Sequence, residues 1–306
     1  MKLLLSLSAL AGASAFVVQP NAFSRSGTTL FGNYHPYMGD DFALERTLQA
    51  IEGDTYFTQQ RAPKKTFVRE PVTTQDMWRT LTPIVVQGES LRTCRFDENI
   101  QRAEVFLRTT GRPLNAEVKL WQGPDNTPQT VSIYLEDGGL RPFRATFECP
   151  GQTNSIAIRN TGSMEFPLVA AIDPDIGGPQ SGGSPAVDLF TRTNPRTIQG
   201  GAVYTMPFSP AVQSVQVMVR TDGRPLNARI ELLQGPNNNK QIMDIYLEDG
   251  RERPFYAIID TPGSGNVVRI VNTATVEFPL FACLEPYMLE EGYTRPAQSG
   301  GRLSWS

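Results

Sequence analysis

The chain has 306 residues, of which 40% are hydrophobic and 19% are charged, and its formal net charge is −3. This length suits about two domains, and the composition is that of a globular protein able to bury substantial cores. A mildly acidic chain without a block of Lys or Arg argues against nucleic acid and anionic lipid as partners.

The first 39 residues have the composition of a targeting leader. An apolar run from Leu3 to Ala13 and a small-residue site ending at Ala15 form the pattern of a secretory signal peptide. Phe16 opens a segment with Ser, Thr and Arg but no acidic residue before Asp40, which is typical of a transit peptide. This junction resembles the bipartite plastid leader of diatoms and related algae, and plain secretion is the alternative. The apolar run is too short for a membrane span, and no longer one follows.

One segment ahead of the main part of the chain has helical periodicity. Between Asp40 and Ile51, the apolar residues Phe42, Leu44 and Leu48 recur near the spacing of a helix face. We predict a helix there, in an N-terminal arm.

The rest of the chain is a duplication. The segment Gly111–Ala116 (GRPLNA) recurs as Gly223–Ala228, an offset of 112 residues, and Ile133–Gly138 (IYLEDG) recurs as Ile245–Gly250. The same offset relates two further motifs, Arg-Pro-Phe and Glu-Phe-Pro-Leu, without a gap. A shared period of this length indicates duplicated domains rather than a short-period solenoid.

Each repeat alternates apolar and polar residues with a period of two. Ala103, Val105 and Leu107 share one face of a predicted strand, as do Val215 and Val217 in the second repeat. Gly, Pro and Asn turns separate roughly seven or eight such strands per repeat, the number typical of a sandwich. We therefore predict an all-β fold of two tandem homologous antiparallel β-sandwich domains with a pseudo-two-fold relation, plus an N-terminal arm and a C-terminal tail. The predicted divisions are a signal peptide (1–15), a transit-like segment (16–39), an N-terminal arm (40–71), repeat 1 (72–172), a linker (173–183), repeat 2 (184–284) and a C-terminal tail (285–306).

Few residues belong to the types that catalysis or metal binding requires. His35 is the single histidine and precedes the repeats, which excludes a His-based triad or a His-rich metal site within them. Cys94, Cys149 and Cys283 are an odd set without Cys-x-x-Cys spacing, so we predict buried free thiols rather than disulfides. No phosphate-binding glycine motif opens a helix. We predict no catalytic, cofactor-binding or metal-binding residue, and no cofactor.

The best candidates for catalysis are two acidic pairs, Glu136-Asp137 and Glu248-Asp249. Paired carboxylates suit acid–base chemistry on sugars, but neighbouring residues of a strand point to opposite faces and Asp-Gly is a common hairpin turn. Arg141 and Arg253 follow across the turn and are available to pair with these acids. We therefore interpret both pairs as structural.

Two charged positions reverse sign between the repeats. Glu117 corresponds to Arg229, and Lys119 corresponds to Glu231. Opposite charges at equivalent positions would make a face of one copy attractive to a face of another. Drift on a solvated face is the other interpretation, and both stay open here.

Apolar residues on predicted outer faces are the more informative feature, because aromatic and Met side chains away from a core mark contact surfaces. The alternative is that the chain itself covers these residues. The tail adds aromatic anchors of the kind that dominate interfaces. The candidate assembly residues are Phe106, Trp121, Tyr134, Met218, Leu233 and Tyr246 on the outer faces, and Tyr287, Tyr293, Leu303 and Trp305 in the tail.

With their leader, these two ungapped repeats resemble the pyrenoid shell proteins of diatoms. The motifs that carry the resemblance are GRPLNA, QGP, IYLEDG, RPF and EFPL, and they cover both repeats. The resemblance implies a non-enzymatic structural protein that assembles with itself into a sheet around the Rubisco-rich pyrenoid in the plastid stroma and supports CO2 concentration and fixation. Rubisco or pyrenoid matrix proteins are the further partners that it implies.

A tandem carbohydrate-binding module is the alternative from another class, because such modules also use sandwiches with exposed aromatic residues. Trp121 would be its stacking platform. Leu233 occupies the equivalent position in repeat 2, so such a platform would not be repeated.

Overall fold

The structure is a computed structural model that describes residues 14–17, 71–151, 153–174, 183–236 and 238–290. These residues lie in one compact unit, and both repeats belong to it. The helix predicted between Asp40 and Ile51 lies outside the described residues. In chain order the elements are β1 (Ser14–Val17), α1 (Thr74–Thr80), β2 (Ile84–Val86), β3 (Leu91–Arg95), β4 (Arg102–Arg108), β5 (Leu114–Gln122), β6 (Asn126–Leu135), β7 (Phe143–Glu148), β8 (Asn154–Asn160), β9 (Leu168–Pro174), α2 (Pro185–Arg192), β10 (Arg196–Ile198), β11 (Val203–Pro207), β12 (Val212–Arg220), β13 (Leu226–Gln234), β14 (Asn239–Leu247), β15 (Phe255–Asp260), β16 (Asn266–Asn272) and β17 (Leu280–Leu289).

The strands form two sheets packed face to face, which confirms the prediction of an all-β fold built from two related sandwich repeats. Sheet I has the order β1-β3-β8-β5-β6-β14-β13-β16-β11, and sheet II has the order β10-β17-β12-β15-β7-β4-β9-β2. Each repeat supplies four strands to each sheet, and β1 adds a ninth to sheet I. Both sheets run without interruption from one repeat into the other.

The two repeats meet along a seam of antiparallel pairs. In sheet I, β6 pairs with β14 and Ser132 lies opposite Asp244. In sheet II, β7 pairs with β15 and Ala145 lies opposite Ala257. Each of these pairs joins equivalent positions of the two repeats, so the pseudo-two-fold axis passes through both sheets at these points. One hydrophobic core lies between the sheets and includes residues of both repeats.

The alternating apolar residues fill this core as their period predicts. Val105, Leu107, Val215 and Val217 are fully buried between the sheets. Phe143 belongs to the same core and is also fully buried.

A short helix opens each repeat. Thr73 caps α1 by accepting a hydrogen bond from the Asp76 amide, and Ser184 caps α2 ahead of Pro185, a residue suited to the first helical turn. Neither helix was expected, because seven or eight residues show too little periodicity to stand out from strand alternation. Both helices pack on the outer face of sheet II.

Candidate functional site

The outer face of sheet II is covered by the chain's own helices. Met77 and Trp78 of α1 pack on Phe106, with ring centroids of Trp78 and Phe106 5.9 Å apart. Leu189 of α2 belongs to a matching cluster with Met218. Phe106 and Met218 point outward as predicted, yet both are 0% exposed. Intrachain packing therefore occupies these two candidate contact residues.

A cation–π contact repeats over each helix. The Arg108 guanidinium lies 4.2 Å from the ring centroid of Trp78, and that of Arg220 lies 4.4 Å from the ring of Phe190. Both arginines and both aromatic residues occupy equivalent positions of the two repeats. This contact adds to the apolar packing that holds each helix on sheet II.

A buried polar pair beside each helix differs in chemistry between the repeats. In repeat 1 the Arg144 guanidinium donates to the Glu104 carboxylate at 2.7 Å, and each side chain is 4% exposed. In repeat 2 the equivalent residues are Tyr256 and Gln216, and the tyrosine hydroxyl donates to the amide oxygen at 3.1 Å. Burial by itself lowers the pKa of Arg144, but the charge and hydrogen bond of Glu104 raise it overall. Burial raises the pKa of Tyr256, so its hydroxyl keeps its proton.

The first predicted tail anchor docks within its own chain. The Val72 amide donates to the Tyr287 hydroxyl at 3.2 Å, and the Tyr287 ring lies 5.8 Å from the Arg144 guanidinium. Tyr287 therefore belongs to the polar cluster of Glu104 and Arg144. The other three anchors, Tyr293, Leu303 and Trp305, lie outside the described residues.

Each helix N-terminus is tied to a strand of the other repeat. Thr74 of α1 donates to the Asp260 carboxylate at 3.3 Å, and Ser184 at the start of α2 donates to the Glu148 carboxylate. Asp260 and Glu148 occupy equivalent positions. Burial raises the pKa of Asp260 to about 6 and also raises the pKa of Glu148, and Arg102 lies 3.3 Å from Glu148.

The outer face of sheet I carries the other four candidate residues. Tyr134 lies opposite Ile242 and Tyr246 lies opposite Thr130, so the two tyrosines flank the pseudo-two-fold axis. Tyr246 is 41% exposed, and Tyr134 and Trp121 are partly exposed. Leu233 is buried. Four positions along the strands separate Tyr134 from Tyr246, so the two tyrosines are separate accessible positions, one on each side of the axis.

The charge reversals on this face are compensated locally. Arg229 makes a two-point contact with Asp244 at 2.6 and 3.0 Å, and Glu231 pairs with Arg269. Repeat 1 has Ser132 and Ala157 at the positions of Asp244 and Arg269, and its own Lys119 pairs with Glu117 at 2.9 Å. Each reversed charge therefore has a partner within its own repeat, which favours a solvated face over attraction between copies.

The acidic pairs have structural partners. The carboxylate oxygens of Asp137 and Asp249 each accept two backbone amides of their own turns. Glu136 pairs with Lys240 at 2.6 Å. The turn interpretation accounts for these contacts, and in the described part of the chain no group of three or more His, Cys, Asp or Glu side chains is placed to hold a metal.

Two arginines expected near these acids instead cross the seam. Arg141 donates to the Gln234 side chain at 2.8 Å, and Arg253 donates to the Gln122 side chain at 2.9 Å. Both arginines are buried. These reciprocal ties were missed, although the occurrence of Arg and Gln at equivalent positions of both repeats was a signal that could have revealed them.

A cavity of about 330 Å³ lies beside the loop between β8 and β9. Its walls include Leu114, Phe166 and Leu168. The side-chain nitrogen of Asn160 at this cavity donates to the Val86 and Phe166 carbonyls, at 3.1 and 2.7 Å. This amide therefore fastens the loop rather than facing a ligand.

The family model described as diatom pyrenoid shell protein matches residues 78–286. No curated protein matches the chain. Among the described residues, no helix is long and apolar enough to cross a membrane.

The similar solved structures are distant. The tandem CBM22 domains of Paenibacillus barcinonensis Xyn10C are 10% identical, with a TM-score of 0.21, over 65% of this chain and 80% of theirs. Vicilin from tomato is 8% identical, with a TM-score of 0.16, over 67% of this chain and 76% of its own. An oxalate decarboxylase is 10% identical, with a TM-score of 0.17, over 73% of each chain. Scores this low carry no argument about function.

Proposed function

The chain belongs to the diatom pyrenoid shell protein family, and on that premise we propose that it self-assembles into a sheet-like shell around the Rubisco-containing pyrenoid. Membership implies a structural protein associated with the chloroplast pyrenoid. The shell lies at the pyrenoid periphery in the stroma, supports CO2 concentration and fixation, and meets Rubisco or pyrenoid matrix proteins on its inner side. The observation that carries the proposal is that the family match extends from α1 into β17 and so includes both repeats.

Two features of the molecule support an architectural role. Both sheets and the core continue across the seam, so the two repeats form one continuous double layer. Tyr134 and Tyr246, one on each side of the pseudo-two-fold axis, are accessible aromatic positions on sheet I. A double layer with related ends and accessible aromatic residues suits repeated self-association.

Negative-stain electron microscopy of the purified protein beginning at Asp40, over a series of concentrations, tests the proposal. We expect ordered sheets or tubes above a threshold concentration. Monodisperse particles at every concentration, with Rubisco present as well as absent, would contradict it. Glycan binding by such particles would favour the carbohydrate-binding alternative.

The tail provides a second test. We expect deletion of residues 291–306 to abolish assembly, because it removes Tyr293, Leu303 and Trp305, which we propose anchor the tail on a neighbouring copy. Tyr287 stays in place, so circular dichroism should show an unchanged fold. Normal sheets from the shortened protein would contradict the role proposed for the tail.

The leader gives a test of location. We propose that residues 1–39 direct the chain to the plastid, and we expect them to carry a fluorescent reporter into the chloroplast of a diatom. Replacing Phe16 with Ala is the matched control and should leave the reporter outside the stroma. Equal import of both versions would remove the role proposed for Phe16.

A further inference from the structure

Among the described residues, the strands contributed by the repeats end each sheet at β2, β3, β10 and β11, and of these only β3 has a further partner, β1. On the repeat 2 side the sheet orders end at β11 in sheet I and β10 in sheet II. On the repeat 1 side, sheet II ends at β2. In sheet I the last strand of the repeat is β3, and β1 is added outside it. The edges β3 and β11 occupy equivalent positions of the two repeats, as do β2 and β10. A row of open backbone groups on such edges is a template for pairing with another chain.

The strand directions at the two ends allow antiparallel pairing between one copy and the next. From β3 to β11 every neighbouring pair is antiparallel across eight strands, so β11 runs opposite to β3. The same holds from β2 to β10 in sheet II. A second copy displaced along the strand order therefore presents β3 antiparallel to β11 and β2 antiparallel to β10 at the same time.

We propose that copies join end to end through these edges, with β10 and β11 of one chain pairing with β2 and β3 of the next. Both sheets then continue from copy to copy, as they already do across the seam inside one chain. A contact between unlike ends does not close on itself and generates an open array. This inference rests on the proposed function and names the contact that builds the assembly.

The edge of β3 accepts a strand in the structure itself. β1 pairs with it in parallel, and Phe16 lies opposite Cys94. The junction predicted for leader removal, between Ala15 and Phe16, falls inside β1. Cleavage there removes half of this strand, and loss of the transit-like segment removes the rest, which frees the edge of β3 for another chain.

Charge favours unlike ends over like ends. Arg92 and Arg95 lie on β3, whereas β11 has the sequence VYTMP and carries no charge. A joint between two β3 edges would place two guanidinium groups on each face of the sheet, Arg92 on one face and Arg95 on the other, and like charges facing each other across strands are destabilising. A joint between β3 and β11 halves that number and places Tyr204 on the same face as Arg92.

An exposed valine marks each end. Val85 in β2 is 53% exposed and Val203 in β11 is 56% exposed. Apolar side chains on edge strands lose water contact when another strand is added. The proposed joint buries one valine from each partner.

Cross-linking of variants that each carry one added surface cysteine tests the joint. Thr93 in β3 and Thr205 in β11 are equivalent, and the three native cysteines are buried. T93C and T205C proteins beginning at Asp40 are assembled alone or mixed and treated with a short bifunctional thiol reagent. We expect cross-linked dimers at least tenfold more abundant in the mixture than in either variant alone.

Other outcomes would overturn the inference. Equal cross-linking within one variant alone would show that like ends meet. Sheets that form normally in the mixture without any cross-link would show that these edges do not meet. If unmodified protein forms no assemblies under the same conditions, the proposed function fails and this inference falls with it.

Charge substitution on β11 gives an independent readout. Thr205→Lys adds a positive charge on the same face as Arg95 of the next copy, and we expect the concentration needed for assembly to rise at least tenfold. Thr205→Glu should assemble at or below the wild-type concentration, because it can pair with Arg95 of the next copy. Asn126→Lys, at the exposed start of β6 and on neither edge strand, is the matched control and should assemble normally. Equal behaviour of the Lys and Glu variants, or loss of assembly in the control alone, would overturn the inference.

Discussion

Repeat 1 and repeat 2 solve the same packing problem with different chemistry. Beside α1 the buried pair is ionic, Glu104 with Arg144, and beside α2 it is neutral, Gln216 with Tyr256. A buried ion pair carries a desolvation cost that its Coulomb attraction must offset, whereas a neutral hydrogen bond carries a smaller cost and a smaller gain. The fold therefore requires a satisfied polar pair at these positions but does not require charge.

The largest expected effect comes from breaking the ionic pair. Arg144→Ala leaves the Glu104 carboxylate buried without a counter-charge, and we expect it to lower the free energy of unfolding by about 3–5 kcal/mol. Tyr256→Phe removes one neutral hydrogen bond and should cost about 1–2 kcal/mol. Chemical denaturation of dilute, unassembled protein measures both.

The double variant Glu104→Gln with Arg144→Tyr serves as the control, because it installs the pair of repeat 2 in repeat 1. We expect it to be more stable than Arg144→Ala. Equal losses for Arg144→Ala and Tyr256→Phe would show that the difference in charge has no energetic consequence.

Removing the aromatic residue that holds each helix on sheet II should have an effect of intermediate size. Trp78 of α1 is buried against sheet II, whereas Phe190 of α2 is only partly buried. We expect Trp78→Ala to cost about 3 kcal/mol, near the lower end for large aromatic residues in cores, and Phe190→Ala to cost less. The same denaturation experiment compares them, and a larger loss for Phe190→Ala would contradict this ranking.

The smallest expected effect is a dependence of stability on pH that differs between Asp260 and Glu148. Burial raises the pKa of Asp260 to about 6 in the folded chain, above about 3.9 for an unfolded Asp. Between these values the folded state holds the proton and the unfolded state does not, so this group makes stability fall as pH rises from about 4 to 6. Repeat 1 places Arg102 beside Glu148, whereas repeat 2 has Ser214 at the position of Arg102.

Asp260→Asn should remove this contribution and gain about 1–2 kcal/mol relative to wild type above pH 6. Glu148→Gln should gain less, because it also removes the partner of Arg102. Denaturation at pH 4, 5, 6 and 7 gives both differences. A constant difference between Asp260→Asn and wild type across this range would contradict the assignment.

The parts of the fold that repeat locally were predictable from the sequence. Val105 and Leu107 alternate with polar residues, and that period places them in the core. Asp137 precedes Gly138 at a turn whose geometry uses the carboxylate as an acceptor. These features depend on neighbours within a few positions, which a single sequence displays.

Features that depend on distant segments were not predictable in the same way. Phe106 is covered by α1, and a helix of seven residues is too short to be recognised from the periodicity of its apolar residues. The tie between Gln122 and Arg253 joins residues 131 positions apart. The sandwich repeats were therefore predicted correctly, while the candidate surface on sheet II was occupied by elements that the sequence did not reveal.

The seam also determines how the molecule resists mechanical tension. Hydrogen bonds of an antiparallel ladder lie perpendicular to the strands, so a pull along the strand order loads these bonds, while a pull along the strands loads covalent backbone. The pairing of β7 with β15 has only two residue pairs, Thr146 with Tyr256 and Ala145 with Ala257. When the molecule is pulled perpendicular to its strands, the pairing of β7 with β15 is therefore the weakest point of sheet II. The hydrogen bonds from Arg141 to Gln234 and from Arg253 to Gln122 cross the same seam, so they carry part of this tension.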